Sequence, residues 1–253
     1  LKDVGYSTAL VGKWHLGHGD RALWPMQRGF DYFYGPLVGE IDHFKHEAHG
    51  VTDWYRGNEL LVEEGYDTDL FGADAVRLIG AHDASVPLFL YLAFTAPHTP
   101  YQAPDQWLEK YAHIEDSQRR AYAAMISAMD DQIGQVVAAL EAAGMREDTL
   151  IVFHSDNGGT RNKMFTGESA VAGDLPPRND PLREGKGSLY EGGTRVVALA
   201  NWPGRITPGE THGPMHVVDM LPTLAGLAGA GLTGTQPLDG VDVWQTVSGG
   251  QPS

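Results

Sequence analysis

The sequence predicts an α/β fold, a mostly parallel central sheet flanked by helices, and three short apolar runs carry that prediction. Thr8-Ala9-Leu10-Val11 empties into Gly12-Lys13-Trp14-His15-Leu16-Gly17, and Pro87-Leu88-Phe89-Leu90-Tyr91-Leu92-Ala93-Phe94 into Thr95-Ala96-Pro97-His98-Thr99-Pro100. Leu150-Ile151-Val152-Phe153 passes through His154-Ser155 into Asp156-Asn157-Gly158-Gly159. Unbroken apolar runs of this length read as strands buried on both faces, as parallel strands are. In open α/β sheets the ligand crevice lies beyond the carboxyl ends of the strands. As parallel neighbours, the three runs would deliver Lys13, His15, His98, Asp156 and Asn157 to one sheet edge. Asn157-Gly158 alone also fits a hairpin turn. Three runs that each end in polar chemistry favour the sheet-edge reading.

Taken in order, Leu1-Lys2-Asp3-Val4-Gly5 reads as the last turn of a helix closed by a left-handed glycine, so the chain is expected to begin in mid-domain. Residues 18–66, rich in Gly, aromatic and charged residues without sustained periodicity, read as an ordered surface excursion. His43, His46 and His49 fall there at three-residue spacing but lack the Glu of a zinc protease motif, so they read as surface-loop histidines rather than ligands. Leu70, Phe71, Ala73, Ala75, Val76, Leu78 and Ile79 predict an amphipathic helix over 69–81. Met125, Met129, Ile133, Val136, Val137 and Leu140 mark the core face of a long helix over 116–143, ended by Gly144. Neighbouring Asp130 and Asp131 point about 100° apart, so they read as a solvated face. His154, within its strand, reads as a core histidine. Residues 160–188 form a long Gly- and Pro-containing loop of the kind that carries function. A fourth strand follows at Val196-Val197-Ala198-Leu199-Ala200, then a short helix over 219–228 with Asp219 as its cap. Residues 249–253 read as a polar, turn-forming tail.

Composition narrows the function classes. At 253 residues and 42% apolar content the chain can build a sizeable core. Eighteen basic against 33 acidic side chains give a formal charge of −15, which opposes attraction to nucleic acid or an anionic membrane surface. An anionic substrate would need a local cluster of cations. With zero cysteines, the chain has no disulfide, no thiolate metal site and no cysteine nucleophile. No apolar stretch is long enough to read as a membrane-spanning helix.

The candidate edge residues make a chemical set. Lys13 and Lys186 supply point charges for a tetrahedral oxyanion, His15 and His98 supply proton transfer, and Asp156 with Asn157 supplies oxygen ligands for a hard divalent cation. This set suits hydrolysis of an anionic ester. Calcium takes about six to eight oxygens, so two ligands call for further donors. Either a metal-bound water attacks or the nucleophile lies outside this chain.

These residues sit in blocks that resemble the type I sulfatases of the alkaline phosphatase superfamily, the arylsulfatase branch above all. Gly5-Tyr6-Ser7-Thr8-Ala9-Leu10-Val11-Gly12-Lys13-Trp14-His15-Leu16-Gly17 is similar to that family's second signature. Gly29-Phe30-Asp31, Ala96-Pro97-His98-Thr99-Pro100, Ser155-Asp156-Asn157-Gly158-Gly159 and Leu182-Arg183-Glu184-Gly185-Lys186-Gly187-Ser188-Leu189-Tyr190-Glu191-Gly192-Gly193-Thr194-Arg195 resemble further blocks in the same order. The resemblance implies cleavage of sulfate from a sulfated carbohydrate or aryl sulfate ester by a calcium-assisted formylglycine mechanism. Lys13 would contact sulfate and formylglycine, and His15 the formylglycine hydrate. His98 and Lys186 would contact the ester and leaving-group oxygens, with His98 a general-acid candidate. Asp156 and Asn157 would ligate one Ca2+, and Glu191 and Arg195 would shape the loop or line the pocket. It also implies a secreted, periplasmic or lysosomal-type compartment. The family's Cys-x-Pro-Ser-Arg block, whose cysteine becomes formylglycine, and an accompanying acidic pair have no counterpart in this sequence. The chain is therefore expected to be an incomplete sulfatase-like catalytic domain over 1–253, inactive by itself. A phosphodiesterase or phosphonate hydrolase on the same scaffold, or a non-catalytic sulfoglycan-binding fragment, are the alternative readings.

Overall fold

A single 3-10 turn, Lys2–Val4, closed by Gly5 at φ 88°, leads into the first strand, as the left-handed glycine predicts. The computed structural model describes residues 1–167, 171, 173–232 and 236–249. The tail expected over 249–253 thus falls, from residue 250 onward, outside the described residues, as do 168–170 and 172 of the 160–188 loop.

Strand β1 (Ser7–Gly12) is the hub of the main sheet. It pairs in parallel with β2 (Tyr32–Gly35) on one side. Beyond β2, after the small β3–β4 ribbon (Glu47–Ala48, Val51–Thr52), the hairpin β5–β6 (Tyr55–Arg56, Glu59–Leu60) adds antiparallel strands. On its other side β1 pairs in parallel with β7 (Leu88–Ala93), in register from Ser7 opposite Leu88 to Gly12 opposite Ala93. The sheet order is β6-β5-β2-β1-β7, so the expected α/β architecture holds with a mixed central sheet.

Helix α1 (Asp67–Ala81) runs from the excursion into β7 and packs on α3 (Ser117–Ala142), with the short α2 (Asp105–Lys110) beside them. Asp116 caps α3 by accepting from the Arg119 amide, and Gly144 at φ 68° follows its end. Its fully buried face is Ala121, Ala124, Met125, Ala128, Gln132 and Leu140, so close helix packing is made by alanines, with Met129, Ile133, Val136 and Val137 at its half-buried margins. Asp130 and Asp131 lie exposed, as expected.

Several expectations are corrected. The excursion at 18–66 is structural, not peripheral: it supplies β2, β5 and β6 and buries Trp24, Phe33, Tyr34, Leu37, Ile41 and Trp54. His43 and His46 are buried rather than on a surface loop, His46 stacking on Trp54 at 4.2 Å between ring centroids. Strand β8 (Ile151–His154) is hydrogen-bonded to neither β1 nor β7. After the short helix α4 (Glu191–Thr194), β9 (Ala198–Asn201) returns antiparallel to it in a separate two-stranded sheet. Half-buried and exposed residues alternate along β8, the signature of a strand covered on one face, so Val152 and His154 point outward and His154 is no core residue. The last helices are α5 (Met220–Ala228) and α6 (Trp244–Gly249). Asp219 makes no side-chain cap to α5; its carboxylate instead accepts from the His216 and Val241 amides. Among the described residues, no helix is long and apolar enough to cross a membrane.

Gly12, the last residue of β1, sits at φ 108° and a Cβ there would stand 2.0 Å from the Ala93 carbonyl oxygen. Gly12→Ala should therefore destabilise the protein by more than about 1 kcal/mol, read as a lower denaturation midpoint. An unchanged midpoint would show that β1 and β7 do not close this tightly.

Candidate active site

Because β1 and β7 run in parallel and in register, their carboxyl ends leave the sheet side by side. The Lys13 amide donates to Ala93 O at 2.8 Å, extending the ladder one residue past the strand. The Trp14 and His15 amides then donate to Pro36 O and Leu37 O, both at 3.0 Å. Trp14 is buried and its indole donates to Gly17 O and Leu23 O, so the loop is anchored between the two functional side chains. His15 holds φ 53°, an uncommon conformation for a residue with a Cβ and of the kind that gathers at working sites.

His98 lies between the cis peptides Ala96-Pro97 and Thr99-Pro100. Its Nδ1 donates to Thr99 O at 2.9 Å, which leaves Nε2 as the acceptor, and Lys186 Nζ stands 3.4 Å from it. Lys186 is brought there by the strap over 179–193. Asn179 clasps Gly159 at both ends, accepting from its amide at 2.9 Å and donating to its carbonyl at 2.8 Å, and also donates to Glu184 O at 2.9 Å. The Lys186 amide donates to Gly159 O at 3.3 Å, and that of Gly158 to Gly193 O at 3.0 Å. Backbones approach so closely that a Cβ on Gly158 would lie 1.7 Å from Gly192 O. The segment bearing Asp156 and Asn157 and the strap bearing Lys186 are thus one hydrogen-bonded unit.

The charges see one another. Burial pulls the Lys13 amine below its ordinary pKa; Asp156 and Glu40 oppose that pull and Lys186 adds to it. Burial also lowers His15, helped by Lys13 and Lys186 and opposed by Asp156. His98 is pushed down to about 4, first by burial and then by Lys186, Lys13 and His43, with its hydrogen bond to Thr99 opposing. Two lysines and two histidines thus lie within electrostatic reach of one another, with Asp156 acting on Lys13 and His15. Asn157 Nδ2 donates to Gly158 O at 3.0 Å, which leaves its Oδ1 to serve as an acceptor. Among the described residues, no group of three His, Asp or Glu side chains forms a cation cage. Glu191 and Arg195 turn to each other at 3.8 Å on the exposed surface of α4.

Comparison with known proteins identifies the family. The Sulfatase family profile matches residues 1–230. The chain belongs to the sulfatase family. It is 38% identical over 259 residues to arylsulfatase J of Mus musculus, covering 99% of this chain and 41% of that protein. Against arylsulfatase A of Homo sapiens the identity is 32% over 263 residues, covering 94% of this chain and 48% of that protein. It therefore spans less than half the length of these two curated relatives. Among solved structures it is similar to Ps i-CgsB in complex with k-i-k-neocarrahexaose, at TM-score 0.83 and 34% identity over 97% of this chain and 55% of that chain.

Three residues that touch this candidate site escape sequence reasoning. Glu40 faces Lys13 electrostatically from the 18–66 segment. Asn179 fixes the strap; its only sequence signal is the turn-forming Asn179-Asp180-Pro181. His43 reaches His98 from behind, its Nε2 standing 3.1 Å from the His98 carbonyl.

Replacing Lys186 by Met removes a cation that holds His98 neutral, so the His98 pKa should rise from about 4 toward its ordinary 6.5. Histidine NMR titration reads this directly, and an unmoved value would separate the two side chains. The sign for stability follows. A folded-state pKa below the unfolded one means that His98 disfavours folding increasingly as pH falls from about 6.5 to about 4, and no further below that.

Proposed function

We propose that the complete protein to which these residues belong hydrolyses sulfate esters, and that its substrate is a sulfated carbohydrate. The observation that carries this reading is the convergence of Lys13, His15, His98 and Lys186 around Asp156, with Lys186 Nζ 3.4 Å from His98 Nε2. A net charge of −15 makes such a cationic recess hard to explain except as an anion site. Family membership narrows the anion to sulfate. The relative solved with a neocarrahexaose supports a carbohydrate carrier.

The roles follow from position. Lys13 and Lys186 hold the sulfate oxygens, where preorganised cations act most strongly as charge develops in the transition state. His15, exposed at the mouth, is placed to exchange a proton with the nucleophile side of the ester. His98 rests neutral, with Nδ1 on Thr99 O and Nε2 toward Lys186. It binds as an acceptor first and becomes a proton donor for the leaving oxygen only once a bound anion offsets the surrounding cations. The donor pair Asp156 and Asn157 Oδ1 is chemically suited to a hard cation, and we assign them as two ligands of a Ca2+. When bound, that ion would neutralise charge on the sulfate oxygens. A cysteine-derived formylglycine, implied by the family resemblance, would come from outside residues 1–253, which contain no cysteine.

The test is release of sulfate from an aryl sulfate and from sulfated oligosaccharides by the complete protein, with a phosphate diester in parallel. Lys13→Ala should lower kcat by about 10²–10³-fold and His98→Ala by about 10²-fold or more. Unchanged rates in both variants would remove these assignments, and preferred turnover of the diester would favour phosphoryl transfer. Chelation should abolish activity, Ca2+ should restore it, and Asp156→Ala should weaken Ca2+ binding measured by calorimetry; undiminished binding would place the ion elsewhere.

A further inference from the structure

Behind His98 lies a buried polar pair to which the sulfatase reading gives no task. His43 and Asp67 are 1% and 0% exposed, with His43 Nδ1 at 2.8 Å from Asp67 Oδ2. The hydrogen bonds around them fit a charged pair. Asp67 Oδ2 also accepts from the Thr95 hydroxyl, and Oδ1 accepts from the Thr68 amide at 2.6 Å and its hydroxyl at 3.1 Å. The Thr68 amide, which can only donate, and a place in the first turn of α1 both favour negative charge on this carboxyl group. His43 Nδ1 must then donate. Nε2 faces the His98 carbonyl, which can only accept, so it must donate too. With both ring nitrogens donating, the ring would be an imidazolium. Its backbone is pinned as well, the amide donating to Gln102 Oε1 at 2.9 Å and the carbonyl accepting from the Asp67 amide at 2.9 Å.

We propose that His43, held as an imidazolium by Asp67, is a positioning residue for His98, fixing the 95–100 loop through the His98 carbonyl. Two independent features agree. Thr95, at the start of that loop, is tied to the same carboxylate, so Asp67 grips the loop at one end while His43 grips it at the residue that matters. Asp67 and Asp42 raise the His43 pKa against the burial that lowers it, and His43 in turn helps to keep His98 neutral. The catalytic consequence rests on the sulfate-ester reading; the protonation state and the grip on the loop do not.

The experiment uses the complete protein labelled with 15N-histidine. The His43 signals, assigned by their loss in His43→Gln, should show both ring nitrogens protonated at pH 7.5, roughly a unit above the free-histidine pKa. A neutral tautomer there overturns the proposal. In His43→Gln the His98 signals should shift, and kcat on an aryl sulfate should fall about 10–10²-fold, the cost of slight misplacement of a working group, with KM little changed. His43→Leu, which cannot donate to the carbonyl, should fall further than His43→Gln. Unshifted His98 signals with unchanged kcat overturn the positioning role. If the parent enzyme releases no sulfate, the functional reading fails, and the His43 and His98 resonances alone decide this one; because the wild-type spectrum reports the charge directly, a variant that fails to fold does not block the test.

Discussion

The parallel ladder between β1 and β7 is the constraint from which the rest follows. Six residue pairs fix its register, and the ladder continues one step further through the Lys13 amide before both chains leave the sheet. A one-residue slip would exchange Leu10 and Val11 between the different clusters they fill on the two buried faces of the strand, so core packing favours the same register that places Lys13 beside the start of the His98 loop. Core and site are not separate demands on this sequence. Gly12 joins them, since only a residue without a Cβ can pass the Ala93 carbonyl at that point.

What could be read in advance was what periodicity and ligand chemistry announce. The apolar runs at Thr8, Leu88 and Ile151 and the two amphipathic helices are where the pattern puts them. The residues that close the site were also visible, because Lys13, His98 and Asp156 each follow an apolar run directly. The 18–66 segment was misread for a physical reason. Its strands are two to four residues long, and its core contribution comes from aromatic side chains scattered among glycines and charges, which no period detects. The pairing of β8 with β9 was equally illegible: an apolar run states that it is buried, but not by which neighbour or in which direction. His43 carried no local signal at all. Its importance is set by Asp67 and by the His98 carbonyl, the latter 55 residues away.

The strap over 179–193 shows how a loop can be exact without secondary structure. Asn179 does for Gly159 what a neighbouring strand would do, offering one acceptor and one donor to its peptide groups. Glycine backbones then pack against each other with no side chains between them. Rigid placement matters here because lysine has a long, flexible stem. Fixing the backbone at Lys186 limits where its ammonium can go, and His98 Nε2 marks where it goes.

The site gathers two lysines beside two histidines of lowered basicity. Lys13, Lys186 and the two histidines face Asp156, with Glu40 acting on Lys13, and the visible result is that Lys13, His15 and His98 all lose basicity. Burial is the largest cause in each case, and the neighbouring cations add to it. An anion entering the recess reverses the second contribution for every group at once. Binding of an anion and uptake of protons are therefore linked, whichever group takes the proton. That linkage gives His98 a use for its depressed pKa. With no anion bound it is neutral and costs little to bury; on the sulfate-ester reading proposed above, the same ring would gain affinity for a proton at the place where a leaving oxygen would need one. The surrounding surface, at −15 overall, works against this only at long range, where salt screens it beyond about 8 Å. Within the recess the local cations decide.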